Sequence, residues 1–385
     1  MLATLVAVTT LGATGCGAPG AEADGAYSAG VARTAPRAPL SDTSFAGTVA
    51  RLSEPGGYFD SDNLVSNETA YLHALGPLRA LGTRGGAYLG VGPEQNFSYI
   101  AALRPEIAYV IDVRRDNLLQ HLLYKSLFAL ARNRAEYLLL LTGRAVPEEV
   151  ERHDGRPLEE LVALTDSLPF DAAAHALARE RVAAAARATG VQLSDADLAT
   201  MARIHDAFAH QGLDLRFTSH DRPPRAYYPT LRQLLLASDR EGRMSSYLAD
   251  EERFRFLQRL QREDRVIPVV GDLAGPHALA AIGEDMARRG LTVSAFYTSN
   301  VEFYLMRAGT FDDFARTTAA LPRDRRSAIV RSCFGYACGN DHPSRSPGHY
   351  SVQLVQRMDD FAAEHERGGY VTYRDVVTRS ILPPR

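Results

Sequence analysis

The chain has 385 residues, of which 45% are hydrophobic and 23% are charged, an ordinary balance for a globular protein of one elaborated domain or two. Its 43 basic and 46 acidic residues give a formal net charge of −3. The chain therefore lacks the basic excess with which general nucleic-acid-binding proteins neutralise phosphates, and we expect no nucleic-acid partner.

The beginning of the chain has the composition of a targeting segment. Residues 2–15 are small and apolar and end at Cys16, as in the signal segment of bacterial lipoproteins, although no basic residue precedes them and Ala13 replaces the usual leucine. The run is too short to remain as a membrane-spanning helix, and residues 17–44 are typical of a flexible tether. We predict a cell-envelope protein that meets the membrane only through a lipid on Cys16. The alternative is a cytoplasmic protein with a misassigned start and a disordered tail.

Residues 66–141 alternate between helix and strand. A capped amphipathic pattern at 66–82 predicts a helix, and the apolar run AYLGVG at 87–92 predicts a buried strand that ends in a glycine turn. A second helix and then a second strand, IAYVIDV at 107–113, follow. Residues 116–141 are again helical, and this order of elements is the signature of a parallel α/β sheet.

Residues 145–262 interrupt that alternation. They are rich in alanine, leucine, arginine and glutamate, which predicts a helical insertion outside the sheet. Strands near 266–270 and 291–297, with a helix over 276–289 between them, restore the α/β order. We therefore expect residues 45–385 to form one Rossmann-like domain with a mostly parallel sheet flanked by helices.

The C-terminal part is predicted to contain helices near 311–320 and 351–366 and a final strand over 370–377. Between the two helices lie Cys333 and Cys338. Outside the cytosol, two cysteines this close most simply form a local disulfide. Free thiols, or a zinc site completed by the histidines that follow, are the alternatives, but the spacing matches no standard zinc motif and we expect no metal.

The strongest candidate for a ligand site joins the first two strands. Gly90 and Gly92 lie at a strand-to-helix turn, where the absence of a β-carbon lets a ligand approach the backbone. Asp112 ends the next strand twenty residues after Gly92, where nucleoside-binding folds place a carboxylate that accepts hydrogen bonds from ribose. The alternative is that the glycines serve only the turn and Asp112 only caps its strand.

Glu94 narrows the class of ligand. It stands at the start of the helix that follows the glycines, where a pyrophosphate would otherwise bind, and a carboxylate there competes with anions for the helix dipole. The third glycine of the dinucleotide fingerprint is also missing. A ligand with a ribose and an amino-acid tail therefore fits better than a phosphate-bearing cofactor, because its ammonium group could meet Glu94.

These features resemble the class I S-adenosylmethionine-dependent methyltransferases over residues 85–142 and, more loosely, over 266–305. The resemblance implies cofactor contacts from Gly90, Gly92 and Asp112. It also implies an adenine contact from Asp272, which alternatively caps the next helix. The segments YFDSDNLVSNE, YLGVGPEQNF and VSAFYTSNVEFYL are further similar to a family of uncharacterised bacterial proteins, which implies the fold and no activity.

Two polar segments supply candidates for contact with a substrate. One precedes the first strand and could fold over a ligand as a lid, or serve only as capping and turn residues. The other follows the fourth strand, at the edge where open α/β sheets bind ligands, and also contains Ser299. The substrate-facing candidates are Tyr58, Asn63, Asn67, Glu68, Tyr297, Asn300 and Glu302. In contrast, His121 and Lys125, one helical turn apart, are predicted to lie on a solvated or ribose-flanking face.

The predicted location and the predicted cofactor conflict with each other. S-adenosylmethionine is a cytosolic compound, whereas a lipoprotein faces the cell envelope. The hypothesis that reconciles the two is a methyltransferase-like fold that binds a small molecule in the envelope. The alternatives are an active S-adenosylmethionine-dependent methyltransferase and an enzyme of another class on the same scaffold. The sequence carries no signal for the substrate or for the oligomeric state.

Overall fold

Six strands form one sheet in the computed structural model, which describes residues 44–223, 225–339 and 341–385. They are β1 (Ala87–Val91), β2 (Ile107–Asp112), β3 (Val266–Val270), β4 (Val293–Ser299), β5 (Ala328–Phe334) and β6 (Ser351–Arg357). The order is β3-β2-β1-β4-β5-β6, with β1 to β5 parallel and β6 antiparallel to β5. The four predicted strands are adjacent in this sheet, and the predicted fold class is confirmed.

Helices cover the sheet, so that β1 and β3 are buried along their whole length and read as unbroken apolar runs. The helices before the insertion are α1 (Phe45–Leu52), α2 (Leu75–Leu81), α3 (Gln95–Leu103), α4 (Arg115–Leu130) and α5 (Arg134–Leu141). Those that follow β3 are α11 (Ala278–Arg288), α12 (Val301–Ala308), α13 (Phe311–Ala320), α14 (Met358–Glu366) and α15 (Tyr373–Thr378).

The segment between α5 and β3 contributes helices to the fold. These are α6 (Leu158–Ser167), α7 (Ala172–Ala188), α8 (Asp195–Gln211), α9 (Leu231–Leu235) and α10 (Glu251–Arg262). Helices α7 and α8 pack on α4. The start of α8 is fixed by a capping box, in which Ser194 and Asp197 each accept a hydrogen bond from the other's backbone.

The C-terminal region differs from the sequence prediction in two places. The predicted helix over 351–366 is a strand followed by a helix, because residues 351–357 pair with β5 from Phe334–Ser351 to Ala328–Arg357 before α14 begins. The predicted final strand over 370–377 is instead mainly the helix α15. Its β-branched residues favoured a strand, but Thr372 and Asp375 form a capping box that starts a helix.

The order of the strands places a crevice at the centre of the sheet. The chain runs outward from β1 through β2 to β3, then returns to place β4 on the other side of β1. At such a reversal the connections diverge, and open α/β sheets bind ligands outside the carboxyl ends of the strands there.

The predicted signal segment, Cys16 and the tether up to residue 43 lie outside the described residues. Among the helices that are described, none combines the length and the apolar character required to cross a bilayer.

Candidate ligand-binding site

A cavity of about 400 Å³ opens at the carboxyl ends of β1 to β4. Its lining contains the last residues of β1 and β2 and the first residues after β3 and β4. The structure brings seven of the predicted site residues together in this lining, namely Tyr58, Asn63, Asn67, Gly92, Asp112, Asp272 and Asn300. Five other candidates, Gly90, Glu94, Glu68, Tyr297 and Glu302, do not line it.

The two glycines of the first turn have different roles. Gly92 lines the cavity and has a φ of +82°, which an L side chain rarely adopts. Gly90 lies inside β1, where an added β-carbon would be 1.9 Å from Asn96 Oδ1. Asn96 fills that space and donates from Nδ2 to the carbonyl oxygens of Val91 at 2.9 Å and Pro93 at 2.8 Å. Gly90 therefore makes room for the side chain that holds the turn.

Asp112 is already paired in the structure. Arg114 donates to both carboxylate oxygens, from Nε to Oδ1 at 3.0 Å and from Nη2 to Oδ2 at 2.8 Å, and its backbone N–H donates to Oδ1 at 2.9 Å. The same guanidinium donates from Nη1 to the carbonyl oxygens of Ser61 and Asp62. Arg114 thus ties the polar segment before the first strand to the end of β2.

That polar segment and three aromatic side chains form the outer part of the cavity. Tyr58 is 77% exposed, and Asn63 has a φ of +50°. The rings of Phe59 and Tyr304 meet edge to face with their centroids 5.0 Å apart, and Phe217 from the insertion completes the apolar lining. Sequence reasoning missed these aromatic residues, since neither strand periodicity nor motif spacing indicates a contact between such distant segments. It missed Arg114 because no motif distinguishes a paired from a free carboxylate at Asp112.

Asp272 is the exposed carboxylate of the site. It follows β3, and its Oδ1 accepts a hydrogen bond from the backbone N–H of Ala274 at 2.9 Å. Its own N–H donates to Glu54 Oε1 at 2.8 Å. The loop is fixed from both sides while the carboxylate faces solvent at the cavity.

Glu94 lies away from the cavity lining and is 3% exposed. No side chain among the described residues donates a hydrogen bond to either of its carboxyl oxygens, and the backbone N–H groups that face them are those of Ser66 and of Glu94 itself. Burial raises the pKa of Glu94 to about 8, so the group is protonated in the folded protein at neutral pH. A neutral buried carboxyl neither repels an anion nor attracts an ammonium group as an exposed carboxylate would.

The face that holds His121 and Lys125 is buried, so its predicted solvation is wrong. His121 Nε2 lies 2.9 Å from the carbonyl oxygen of Gly92, and burial lowers the pKa of His121 to about 4. Lys125 pairs with Asp264 at 2.6 Å. His121 packs on the turn after β1 and on α3, and Lys125 lies against Phe45 of α1 and the end of α10. The sequence of α4 alone could not show these contacts.

Glu68 and Tyr297 form a buried network beneath the cavity. Glu68 is 1% exposed and accepts hydrogen bonds from Tyr297 Oη at 2.5 Å, Ser299 Oγ at 2.6 Å and Gln353 Nε2 at 3.0 Å. Burial raises the pKa of Glu68, whereas these donors act in the opposite direction. Within this network Ser299 is the residue that lines the cavity.

Glu302 belongs to the core. Its carboxylate receives two hydrogen bonds from Arg331, at 2.7 Å to Oε2 and 2.9 Å to Oε1, and both side chains are almost completely buried. This ion pair joins the first turn of α12 to β5.

The remaining predicted pair, Cys333 and Cys338, is a disulfide in the structure, with 5.5 Å between the α-carbons. The described residues contain no group of three or more side chains suited to hold a metal ion.

Fold and cavity together define a Rossmann-like α/β protein with a crevice at the reversal of strand order. The chain belongs to the family described as Domain of unknown function (DUF7790), whose model matches residues 64–167 and 217–380. The match includes all six strands and leaves out α7 and α8. The expectation of an uncharacterised family is thereby confirmed. No curated protein matches the chain.

Proposed function

We propose that the protein binds a small molecule of nucleoside type in the cavity at the carboxyl ends of β1 to β4, and that it does so in the cell envelope. The observation that supports the proposal is that seven of the residues predicted from the sequence to form a ligand site line this cavity. A cavity of about 400 Å³ with a mainly apolar lining and a few fixed polar groups is also typical of small-ligand sites.

Asp112 would accept a hydrogen bond from a ribose hydroxyl. A carboxylate offers about four lone-pair directions, and Arg114 occupies three of them. The pairing leaves an acceptor for the ligand and holds the carboxylate in place. Gly92 would let the sugar approach the backbone, and the exposed Asp272 would accept a hydrogen bond from the base.

The alternative is an active S-adenosylmethionine-dependent methyltransferase. The resemblance of residues 85–142 to that class favours it, and the strand order β3-β2-β1-β4-β5-β6 is compatible with it, because doubly wound nucleotide-binding sheets have this order. Gly92, Asp112 and Asp272 would then hold the cofactor, which supplies an activated methyl group. The location of the protein distinguishes the two proposals, because S-adenosylmethionine is a cytosolic compound and an active methyltransferase would have to be in the cytosol.

Calorimetric titration of the purified protein with S-adenosylmethionine and S-adenosylhomocysteine tests the shared binding step. We expect Asp112→Asn, which removes the charge of the acceptor and keeps its shape, to weaken binding about ten- to a hundredfold. Asp313→Ala, which removes a carboxylate from an exposed ion pair with Arg316, serves as the control and should leave affinity unchanged. Absence of heat with both ligands would overturn the nucleoside assignment.

Labelling of cells with a palmitate analogue tests the location. We expect the label on the wild-type protein and none on Cys16→Ser. Recovery of unlabelled protein in the cytosolic fraction would contradict the envelope location and favour the methyltransferase. In exported protein, alkylation without reduction should also find no free thiol at Cys333 or Cys338.

A further inference from the structure

We propose that Ser299 is a nucleophile and that the cavity catalyses acyl transfer from a small carboxylic ester to water. The proposal goes beyond ligand binding and rests on three features of the turn between β4 and α12. These are the backbone conformation of Ser299, its contact with the buried carboxylate of Glu68, and the backbone N–H groups that follow it.

Ser299 occupies a strained turn between a strand and a helix. It is the last residue of β4, α12 begins at Val301, and its φ is +52°. A serine in this region lacks the freedom of glycine, so the surrounding structure must hold it there. A sharp strand-to-helix turn is also the way in which α/β hydrolases expose a nucleophilic serine at the end of a sheet, although Tyr297 and Val301 stand here where their motif has glycine.

Glu68 is positioned as the base for Ser299. Its Oε1 lies 2.6 Å from Ser299 Oγ, within direct reach for proton transfer. Tyr297 and Gln353 hydrogen-bond the same carboxylate and fix its orientation. The structure therefore contains a nucleophile, a base and groups that orient the base, which is the arrangement expected of an activated hydroxyl.

The start of α12 can stabilise a developing negative charge. Asn300 and Val301 both line the cavity directly after Ser299. The N–H groups of the first helical turn have no partner within the helix and lie at the positive end of its dipole. In serine hydrolases the N–H of the residue after the nucleophile is one donor of the oxyanion hole, and Asn300 holds that position here.

The reaction then proceeds in two balanced steps. Ser299 Oγ forms a bond to the carbonyl carbon as its proton passes to Glu68. The bond from that carbon to the alcohol oxygen breaks, and Glu68 returns the proton to the departing alcohol. Water next attacks the acyl-serine and gives a proton to Glu68, the bond to Ser299 Oγ breaks, and Oγ regains the proton as the carboxylic acid leaves.

The test uses a fluorophosphonate probe on the purified full chain, with the modified peptide identified by mass spectrometry. We expect one adduct, on Ser299. Glu68→Gln should slow labelling by about 100-fold or more, as loss of a positioned base does. Hydrolysis of p-nitrophenyl acetate by wild type should show a burst of p-nitrophenol, and Ser299→Ala should abolish it.

Ser380 is a matched control within the same chain. It also has a positive φ, of +53°, and its Oγ lies 3.1 Å from Glu364 Oε1, but it is exposed and does not line the cavity. Ser380→Ala should label as fast as wild type, and Ser380 should carry no adduct.

A second variant keeps the test valid if Ser299→Ala folds poorly. Ser299→Gly accepts the positive φ without strain, so it should fold and show no adduct at residue 299. Folded wild type that gives no adduct on Ser299 overturns the proposal, as does labelling of Ser299 at an unchanged rate in Glu68→Gln. Either result leaves the calorimetric test of nucleoside binding unaffected.

Discussion

Two strand-to-helix turns line the same cavity, and each contains a residue with a positive φ, but the residue types differ. The turn after β1 places Gly92 at a φ of +82°, and the turn after β4 places Ser299 at +52°. Glycine adopts such a φ at little cost, whereas a residue with a β-carbon loses about 1–2 kcal/mol. The first turn is therefore relaxed, and the second retains a strained residue whose hydroxyl contacts Glu68.

The buried carboxyl groups near the two turns also differ, in the number of side chains that donate hydrogen bonds to them. Glu94, at the first turn, is buried with no side-chain donor among the described residues, whereas Glu68, at the second, has three. Burial raises the pKa of both carboxyl groups, and the three side-chain donors of Glu68 oppose that shift. The carboxyl group with side-chain donors is thus the one that contacts the hydroxyl of the strained turn.

We expect the largest loss of stability from breaking the buried ion pair between Glu302 and Arg331, which holds the start of α12 after the second turn. Glu302→Ala leaves the buried Arg331 without its charge partner, so it should lower the free energy of unfolding by about 3–5 kcal/mol. Urea denaturation measures this loss. The control is Glu252→Ala, because Glu252 pairs with Arg104 but its side chain is 82% exposed, and that change should cost less than about 1 kcal/mol. Equal losses for the two variants would show that the second turn does not depend on its buried ion pair.

The buried carboxyl of the first turn should make stability depend on pH. The pKa of Glu94 is about 8 in the folded protein and 4.5 ordinarily, so between these values the unfolded chain releases a proton that the folded chain keeps. Its contribution is thus complete below pH 4.5 and declines as pH rises to 8, by a few kcal/mol at about 1.4 kcal/mol per pKa unit.

Denaturation of wild type and Glu94→Gln at pH 5 and pH 8 measures this effect. We expect the variant to lose less stability between the two values than wild type does. Glu148→Gln, a change at an exposed position, should follow wild type. A wild-type decline that Glu94→Gln does not reduce would show that other groups cause it.

Substitution of the two glycines of the first turn should have different effects, because Gly90 is required for packing and Gly92 for its backbone conformation. Gly90→Ala forces a β-carbon against Asn96 Oδ1 and Tyr88 Oη, and should cost about 1–3 kcal/mol of stability as overpacked sites do. Gly92→Ala should cost about 1 kcal/mol through its positive φ. Its β-carbon would lie 3.3 Å from the amides of Asn63 and Gln95, so it should also weaken ligand binding. Thermal unfolding and titration distinguish the two glycines, and a larger stability loss at Gly92 would reverse their roles.

The sheet and the first turn could be predicted from the sequence more completely than the second turn. Strands β1 to β4 are short apolar runs bounded by turn residues, and Gly90, Gly92 and Asp112 give a signal through residue type and spacing. Ser299 is indicated only by its place in the polar segment after the fourth strand, since a serine is rarely found at a positive φ and its partner Glu68 is 231 residues away.

Contacts between distant segments also explain the errors of prediction. β6 reads as part of a helix because its strand character comes from pairing with β5, which local sequence does not encode. The sequence of α4 predicts a solvated or ribose-flanking face for His121 and Lys125, because the segments that bury them, the turn after β1, α1 and the end of α10, are distant in the chain. The pairing of Asp112 with Arg114 needs no distant segment, but no motif distinguishes a paired from a free carboxylate at that spacing.

The smallest and most specific effect concerns the strain at Ser299 itself. Ser299→Ala and Ser299→Gly both remove the hydroxyl that contacts Glu68, so their difference in stability isolates the backbone conformation. If the φ of +52° is strained, Ser299→Gly should be more stable than Ser299→Ala by about 1 kcal/mol. The same pair of changes at a buried strand position outside the Glu68 network, Ser294, should have the opposite sign, since glycine weakens strands. Urea denaturation of the four variants measures both differences. Equal signs at the two positions would mean that the second turn stores no strain, and that the conformation of Ser299 has no part in presenting its hydroxyl.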